Sequence, residues 1–414
     1  MSLAAALALR EQRRPAEALA LLLQMPWPPT EPRAWLLRGV IEHQLGLAAE
    51  AQVSLAAAAA HPELALEAAY HLGEVHRSNG QFEAAAAWFL AALQRDPGHR
   101  YSHNSLQFTR FDPALLPRVV AAYRGFVATA PEQPLCRQLL AHYLLRSGAQ
   151  AEAVAVNRQA SGLQPGQAAG ALPGFLVLGV PKGGTSSLLA WLSCHPRLWC
   201  HPRKELHFFD GDWEHGPVWY QSHFPVFAPE ADIACGEATP NYFQLPQVPG
   251  RVQQLLPQAR LIVLLRDPLQ RALSWLMHLR RFEGLQGDPA EHLAAELEAL
   301  EALDEGALES TGFIWPNALL GSCYNAPLRR WQAAYGHGQL LVLASEQLFA
   351  RPQATLEQVA RFLQVEPRWA WGELLPYNVN PLPQPALPQA LLERLQGFLQ
   401  RHSGWALGQV QPPG

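Results

Sequence analysis

The chain has 414 residues, 49% of them hydrophobic and 16% charged, enough apolar material for roughly two to four packed domains and too much for a wholly disordered or fibrous protein. A net charge of -4 and a pI near 6.5 argue against bulk binding to nucleic acid or to anionic membranes, so any anion must be held by a local site. The 31 basic residues comprise 29 Arg and only two Lys, Lys182 and Lys204, where a chain of this length ordinarily carries roughly 20 or more Lys. The five cysteines (Cys136, Cys194, Cys200, Cys235 and Cys323) are scattered without a CxxC pair, which predicts free thiols in a reducing compartment. No apolar run reaches the roughly 18 residues of a membrane span, and residues 1–14 lack the basic start and long apolar stretch of a signal peptide. The expected location is cytoplasmic.

Residues 1–165 repeat. Gly39 and Gly73 are 34 apart, as are Gly46 and Gly80, with Gly148 two periods further on; Pro97, Pro131 and Pro165 keep the same spacing. Trp35 to Gly39 and Tyr70 to Gly73 read as first helices, and Phe89 to Leu93, closed by Asp96-Pro97, as a second. These landmarks resemble the tetratricopeptide repeat, a helix–turn–helix unit of about 34 residues. The glycines belong where two helices pack closely or turn, and the stretch Tyr101 to Gln133, which keeps the period without the glycines, is a degenerate unit. Stacked units of this kind present a concave surface suited to a protein or peptide partner. Residues 166–174, rich in Gly, Pro and Ala and uncharged, then read as a linker, with a second domain over 175–414.

That domain opens on Phe175 to Val180, an apolar run suited to a buried parallel strand, followed by Pro181-Lys182-Gly183-Gly184-Thr185-Ser186-Ser187 and a helical stretch, Leu188 to Leu192. A strand, a Gly-rich turn and a helix N-terminus form an anion cradle, to which Thr and Ser add hydroxyl donors and Lys182 a full positive charge. Gly179 and Gly184 have the spacing of a nucleotide-triphosphatase loop, but Thr185 stands where that loop needs Lys, which disfavours a P-loop kinase. A second apolar run, Leu261 to Leu265, ends in Arg266-Asp-Pro-Leu-Gln-Arg271-Ala-Leu-Ser274, where an Arg fork can grip a phosphate. Arg271 has two readings, a phosphate ligand or a structural ion pair with Asp267. Between these motifs lies Lys204-Glu205-Leu206-His207-Phe208-Phe209-Asp210. Both lysines of the chain thus fall within these motifs, where a compact point charge is favoured over a planar fork.

Together these segments resemble the sulfotransferases that use 3′-phosphoadenosine 5′-phosphosulfate (PAPS), in particular the heparan-type glycosaminoglycan enzymes and related bacterial domains. The resemblance covers 175 to about 365. It implies an α + α/β architecture, a helical repeat solenoid followed by a P-loop-type parallel-sheet domain, and transfer of a sulfuryl group to a hydroxyl acceptor with a saccharide favoured. It implies that Pro181, Lys182, Gly183, Gly184, Thr185, Ser186 and Ser187 hold the phosphosulfate, that Arg266 and Ser274 hold the 3′-phosphate, and that no metal takes part. Glu205 is then the general base, with His207 the rival base or a positioning group. Two departures stand out. Cys235 to Phe243 resembles a family segment whose usual Lys is replaced by Ala238, and the basic C-terminal loop of the glycosaminoglycan enzymes has no counterpart in the uncharged stretch Pro376 to Pro388. The acidic stretch Glu291 to Glu309 reads as a solvated helix or a lid. A lipid, a polyketide or a protein tyrosine are alternative acceptors, and an interaction protein with an inactive nucleotide domain is the alternative of a different class.

Overall fold

The computed structural model describes the chain except residues 1–2, 13, 26–28, 30, 108, 110–111, 161–171, 226, 228–231, 283–284, 312–316, 373, 375–383 and 413–414. Most of the expected linker therefore lies outside the described residues, as does most of the stretch 376–388. The chain divides into two compact units, the first chiefly Met1–Val156 and the second chiefly Asn157–Met277, Gly287–Asn380 and Gln384–Gly414.

The first unit is a run of antiparallel helix pairs: α1 (Leu3–Glu11), α2 (Pro15–Leu23), α3 (Arg33–Gln44), α4 (Ala48–Ala59), α5 (Ala65–Ser78), α6 (Phe82–Arg95), α7 (Arg100–Gln107), α8 (Leu116–Thr129), α9 (Pro134–Arg146) and α10 (Gln150–Ala160), the last running past the division between the units. The landmark glycines fall into two physical classes. A Cβ at Gly39 would lie 2.5 Å from the Leu55 side chain and one at Gly73 2.4 Å from the Phe89 ring, so glycine is what lets α3 close on α4 and α5 on α6. Gly46, Gly80 and Gly148 instead take φ of +79°, +72° and +82° with open space around them, turning the chain out of the first helix of each pair. In the degenerate unit the first helix, α7, has 8 residues against 14 in α5.

The second unit is built on five parallel strands, β1 (Phe175–Gly179), β2 (Leu198–Cys200), β3 (Ala234–Ala238), β4 (Arg260–Leu265) and β5 (Leu340–Ala344), in the order β2-β3-β1-β4-β5. The helices are α11 (Thr185–Leu192), α12 (Gly216–Gln221), α13 (Val248–Leu255), α14 (Pro268–Phe282), α15 (Pro289–Glu301), α16 (Glu305–Ser310), α17 (Asn325–Tyr335), α18 (Ser345–Ala350), α19 (Pro352–Phe362) and α20 (Gln389–Leu407). All five residues of β1 are buried, as a strand covered on both faces requires. On one face Leu188 and Leu192 of α11 and Leu356 and Val359 of α19 pack against Val177 and Ile262 of the sheet.

The acidic stretch forms α15 and α16. Leu293, Leu297, Leu300 and Leu308 turn inward, and its carboxylates face solvent with one exception. Glu296 points in and accepts the N–H groups of Ala318 at 2.6 Å and Leu319 at 2.9 Å, clamping the chain that leads to Tyr324.

Candidate active site

β1 ends at Gly179, and the chain turns through residues 180–184 into α11. Val180 N–H donates to Leu264 O at 2.9 Å and Gly183 N–H to Val180 O at 2.9 Å, which ties the turn to β4. A Cβ at Gly183 would lie 2.7 Å from Leu264 O, so the turn is pressed too close to β4 for any other residue. Gly184 caps α11 at φ +95°, and Lys182 takes φ +70°. Thr185, Ser186 and Ser187 form the first turn of α11, where the helix dipole is positive.

Two arginines brace this turn from the β4 side. Arg266, half-buried just beyond β4, donates from Nη1 to Lys182 O at 3.1 Å, while its own carbonyl accepts the Tyr324 hydroxyl at 3.1 Å. Arg271, on the first turn of α14, is fully buried. It donates from Nε to Pro181 O at 3.1 Å and from Nη1 to Ala318 O at 2.7 Å, and its guanidinium lies over the Trp275 ring at 5.4 Å. Among the described residues the expected ion pair with Asp267 is absent, and the partners of Arg271 are main-chain carbonyls instead. The Asp267 carboxylate accepts Gln270 N–H at 2.8 Å as the start of α14. Ser274 lies one turn beyond Arg271 on α14, half-buried. The loop thus assembles main-chain N–H groups, three hydroxyls, one ammonium and the Arg266 guanidinium, a donor set that fits a phosphate or sulfate group.

The segment 204–210 lies against the end of β3, the strand next to β1. Glu205 N–H donates to Ala238 O at 3.0 Å. Glu205 and His207 take φ of +66° and +58°, a left-handed conformation that costs a non-glycine residue about 1–2 kcal/mol and that brings their side chains together. Lys204 Nζ donates to Glu205 Oε1 at 2.5 Å, His207 Nε2 lies 3.7 Å from Glu205 Oε2, and His207 Nδ1 pairs with Asp210 Oδ2 at 2.9 Å. The result is a chain of alternating charge, Lys204–Glu205–His207–Asp210, whose first three side chains are about a quarter exposed. Burial would raise the Glu205 pKa, but the Lys204 charge and the contact with His207 outweigh it and hold the carboxyl well below the usual carboxylate range. Burial would lower that of His207, but hydrogen bonds and charge from Asp210 and Glu205 push it up to about 10. Both shifts favour the charged forms, a carboxylate beside an imidazolium.

Beneath this segment, Ala238 is fully buried and its methyl joins the core of the sheet. Its neighbour Glu237 points the other way along the pleat and is also fully buried, with its pKa pushed up to about 7 by that burial. Neither Glu237 nor Asp210 stands out from the motif spacing. The signals present were a carboxylate within an otherwise apolar strand, and an Asp three residues after His207.

The turn after β1, Arg266 after β4 and the segment docked on β3 stand at the C-terminal ends of three neighbouring strands, where open parallel sheets bind their ligands. Residues 172–373 match the family model of the sulfotransferase domain, and residues 66–99 match a tetratricopeptide repeat. The chain is 32% identical over 215 residues to the bifunctional heparan sulfate N-deacetylase/N-sulfotransferase 4 of Mus musculus, covering 50% of this chain and 24% of that protein. It is 31% identical over 213 residues to the bifunctional heparan sulfate N-deacetylase/N-sulfotransferase 3 of Homo sapiens, with the same 50% and 24% covered. The chain thus spans about a quarter of the length of these curated relatives. Among solved structures, a sulfotransferase from Alicyclobacillus acidocaldarius aligns with a TM-score of 0.44 and 25% identity over 58% of this chain and 98% of that one. Among the described residues no helix is long and apolar enough to cross a membrane. Residues 172–373 belong to the sulfotransferase domain family, and a tetratricopeptide repeat precedes them in the same chain.

Proposed function

We propose that residues 175–414 transfer a sulfuryl group from PAPS to a hydroxyl of a saccharide, with residues 1–165 as a repeat domain for a protein or peptide partner and 166–174 as the linker. The observation that carries this reading is an anion cradle and a lysine-paired carboxylate standing at the ends of adjacent strands of one sheet.

PAPS, when bound, supplies a sulfuryl group already joined to a phosphate leaving group. The turn Pro181 to Ser187 holds the 5′ side, and Arg266 with Ser274 holds the 3′-phosphate. Lys182 and the first turn of α11 neutralise the charge that grows on the bridging oxygen. Glu205 takes the proton of the attacking acceptor. His207, charged and held by Asp210, aims the Glu205 carboxylate and leaves the role of base to it.

The names of the relatives favour a second acceptor, an amine. Labelled sulfate transfer from PAPS to heparosan and to N-deacetylated heparosan separates the two. Label on both supports the hydroxyl reading, label confined to the deacetylated polymer supports the amine, and label on neither sends the search to lipid, polyketide and protein-tyrosine acceptors. An interaction protein with an inactive domain would show no thermal shift with adenosine 3′,5′-bisphosphate.

A further inference from the structure

Segment 205–209 presents a physical problem that its own residues do not solve. Two of its non-glycine residues are left-handed, and its N–H groups point at the sheet rather than at one another. Four of those N–H groups find partners on one short stretch, Ala238 to Tyr242. Glu205 N–H donates to Ala238 O at 3.0 Å, His207 N–H to Thr239 Oγ1 at 3.4 Å, and Phe208 and Phe209 N–H to Tyr242 Oη at 3.0 Å and 3.4 Å.

A backbone N–H can only donate, so both hydroxyls accept from the segment and each has one proton left to place. The Thr239 proton goes to a buried carboxyl: Thr239 Oγ1 donates to Glu237 Oε2 at 2.7 Å, and the Tyr220 hydroxyl of α12 donates to Oε1 of the same group at 3.3 Å. A fully buried carboxyl in a strand is costly, and an apolar residue would serve the sheet better; this one takes two hydroxyl protons and thereby turns a Thr239 lone pair toward the His207 N–H above.

We infer that Glu237 is a positioning residue for the transfer reaction: through Thr239 it fixes the backbone of His207, and with it the direction in which Glu205 and His207 face the acceptor. The reaction half of this inference rests on the function proposed above; the positioning half does not.

The test uses the full chain and two variants. Glu237→Gln keeps the shape but brings an NH2 group against a hydroxyl that must then accept it, in competition with the segment. Thr239→Ala removes the hydroxyl between them and leaves the carboxyl. Both should raise amide hydrogen exchange at His207 by about tenfold or more while leaving the loop 181–187 and the dissociation constant for adenosine 3′,5′-bisphosphate within about twofold. On N-deacetylated heparosan kcat should fall by about tenfold with the KM for PAPS unchanged. Unchanged exchange in both variants overturns the positioning, as does a kcat retained when exchange has risen. If the wild-type chain transfers sulfate to no saccharide, the proposed function fails, and the exchange measurement still decides whether Glu237 holds the segment.

Discussion

The two sides of the crevice are built by different means. The donor side is main chain: a turn tied to β4 by the Val180 N–H, a helix start, and two arginines that brace the turn through its carbonyls. The acceptor side is side chain: a line of alternating charges on a strained segment, held from below by the hydroxyls of Tyr242 and Thr239, the latter bonded to a buried carboxyl. A main-chain cradle needs little beyond glycines and a helix start in the right order, so it is written along the chain. A side-chain array depends on which groups lie above and below it, and those come from elsewhere in the sequence.

The largest effect that can break this contrast is expected on the acceptor side. Glu205→Gln should lower transfer by about 100- to 10,000-fold, the range for a general base, with PAPS affinity near wild type. His207→Ala should cost less, through lost aim alone. If the order is reversed, with His207→Ala the more damaging and Glu205→Gln mild, the roles must be exchanged.

Next comes Lys182→Ala on the donor side, expected to lower the rate by about 100- to 1,000-fold and to weaken donor binding as well. Retention of activity within about threefold would remove Lys182 from the mechanism. The joint loss of rate and affinity is what distinguishes the two sides.

The two arginines sharpen the picture within the donor side. Arg266→Ala should weaken adenosine 3′,5′-bisphosphate by about tenfold and leave adenosine 5′-phosphosulfate little changed, because a charge-assisted contact to the 3′-phosphate is lost. Arg271→Ala should show itself in the melting temperature instead, since it strands the carbonyls of Pro181 and Ala318 in the interior, at about 1–3 kcal/mol each. Equal loss of both nucleotides with Arg266→Ala would make that residue structural too.

The smallest effect is a pH dependence of stability. Glu237 has its pKa pushed up to about 7 from an ordinary 4.5 by burial, with Tyr220, Thr239, Tyr242, His207 and Asp210 as the groups that face it. The folded state holds that proton more tightly than the unfolded chain, so the stabilisation is complete below about 4.5 and is lost as the pH rises through about 7. The melting temperature of the wild type should therefore fall relative to Glu237→Gln across that window. Parallel curves would show that the carboxyl ionises in the fold as it does in water.

Much of this molecule is legible in the sequence because the relevant signals are local or periodic. The 34-residue spacing of Gly39 and Gly73 reports how closely paired helices approach, and that of Gly46 and Gly80 how the chain leaves a helix; both are properties of one repeat unit. The apolar runs of β1 and β4, the Gly-rich turn with Lys182 and the Arg266 motif are likewise contiguous strings whose chemistry follows from residue order. The departure at Ala238 is visible in the string as well, though not its consequence, since only the packed sheet shows that its methyl fills the core and its carbonyl holds Glu205.

What the tertiary structure alone decided is every property that depends on burial or on a distant partner. The string Arg-Asp-Pro-Leu-Gln-Arg suggests Asp267 as a partner for Arg271, whereas folding brings the carbonyls of Pro181 and Ala318 to it from 90 and 47 residues away. Glu296 sits in a stretch that reads as solvated, yet it is the one carboxylate there that turns inward to clamp Ala318 and Leu319. The sequence favours Glu205 as base with His207 as its rival, and it does not show the flanking charges of Lys204 and Asp210 that push the two pKa values apart. Residue order supplied the reacting groups. Their protonation states came from the local dielectric and from neighbours that only the fold assembles.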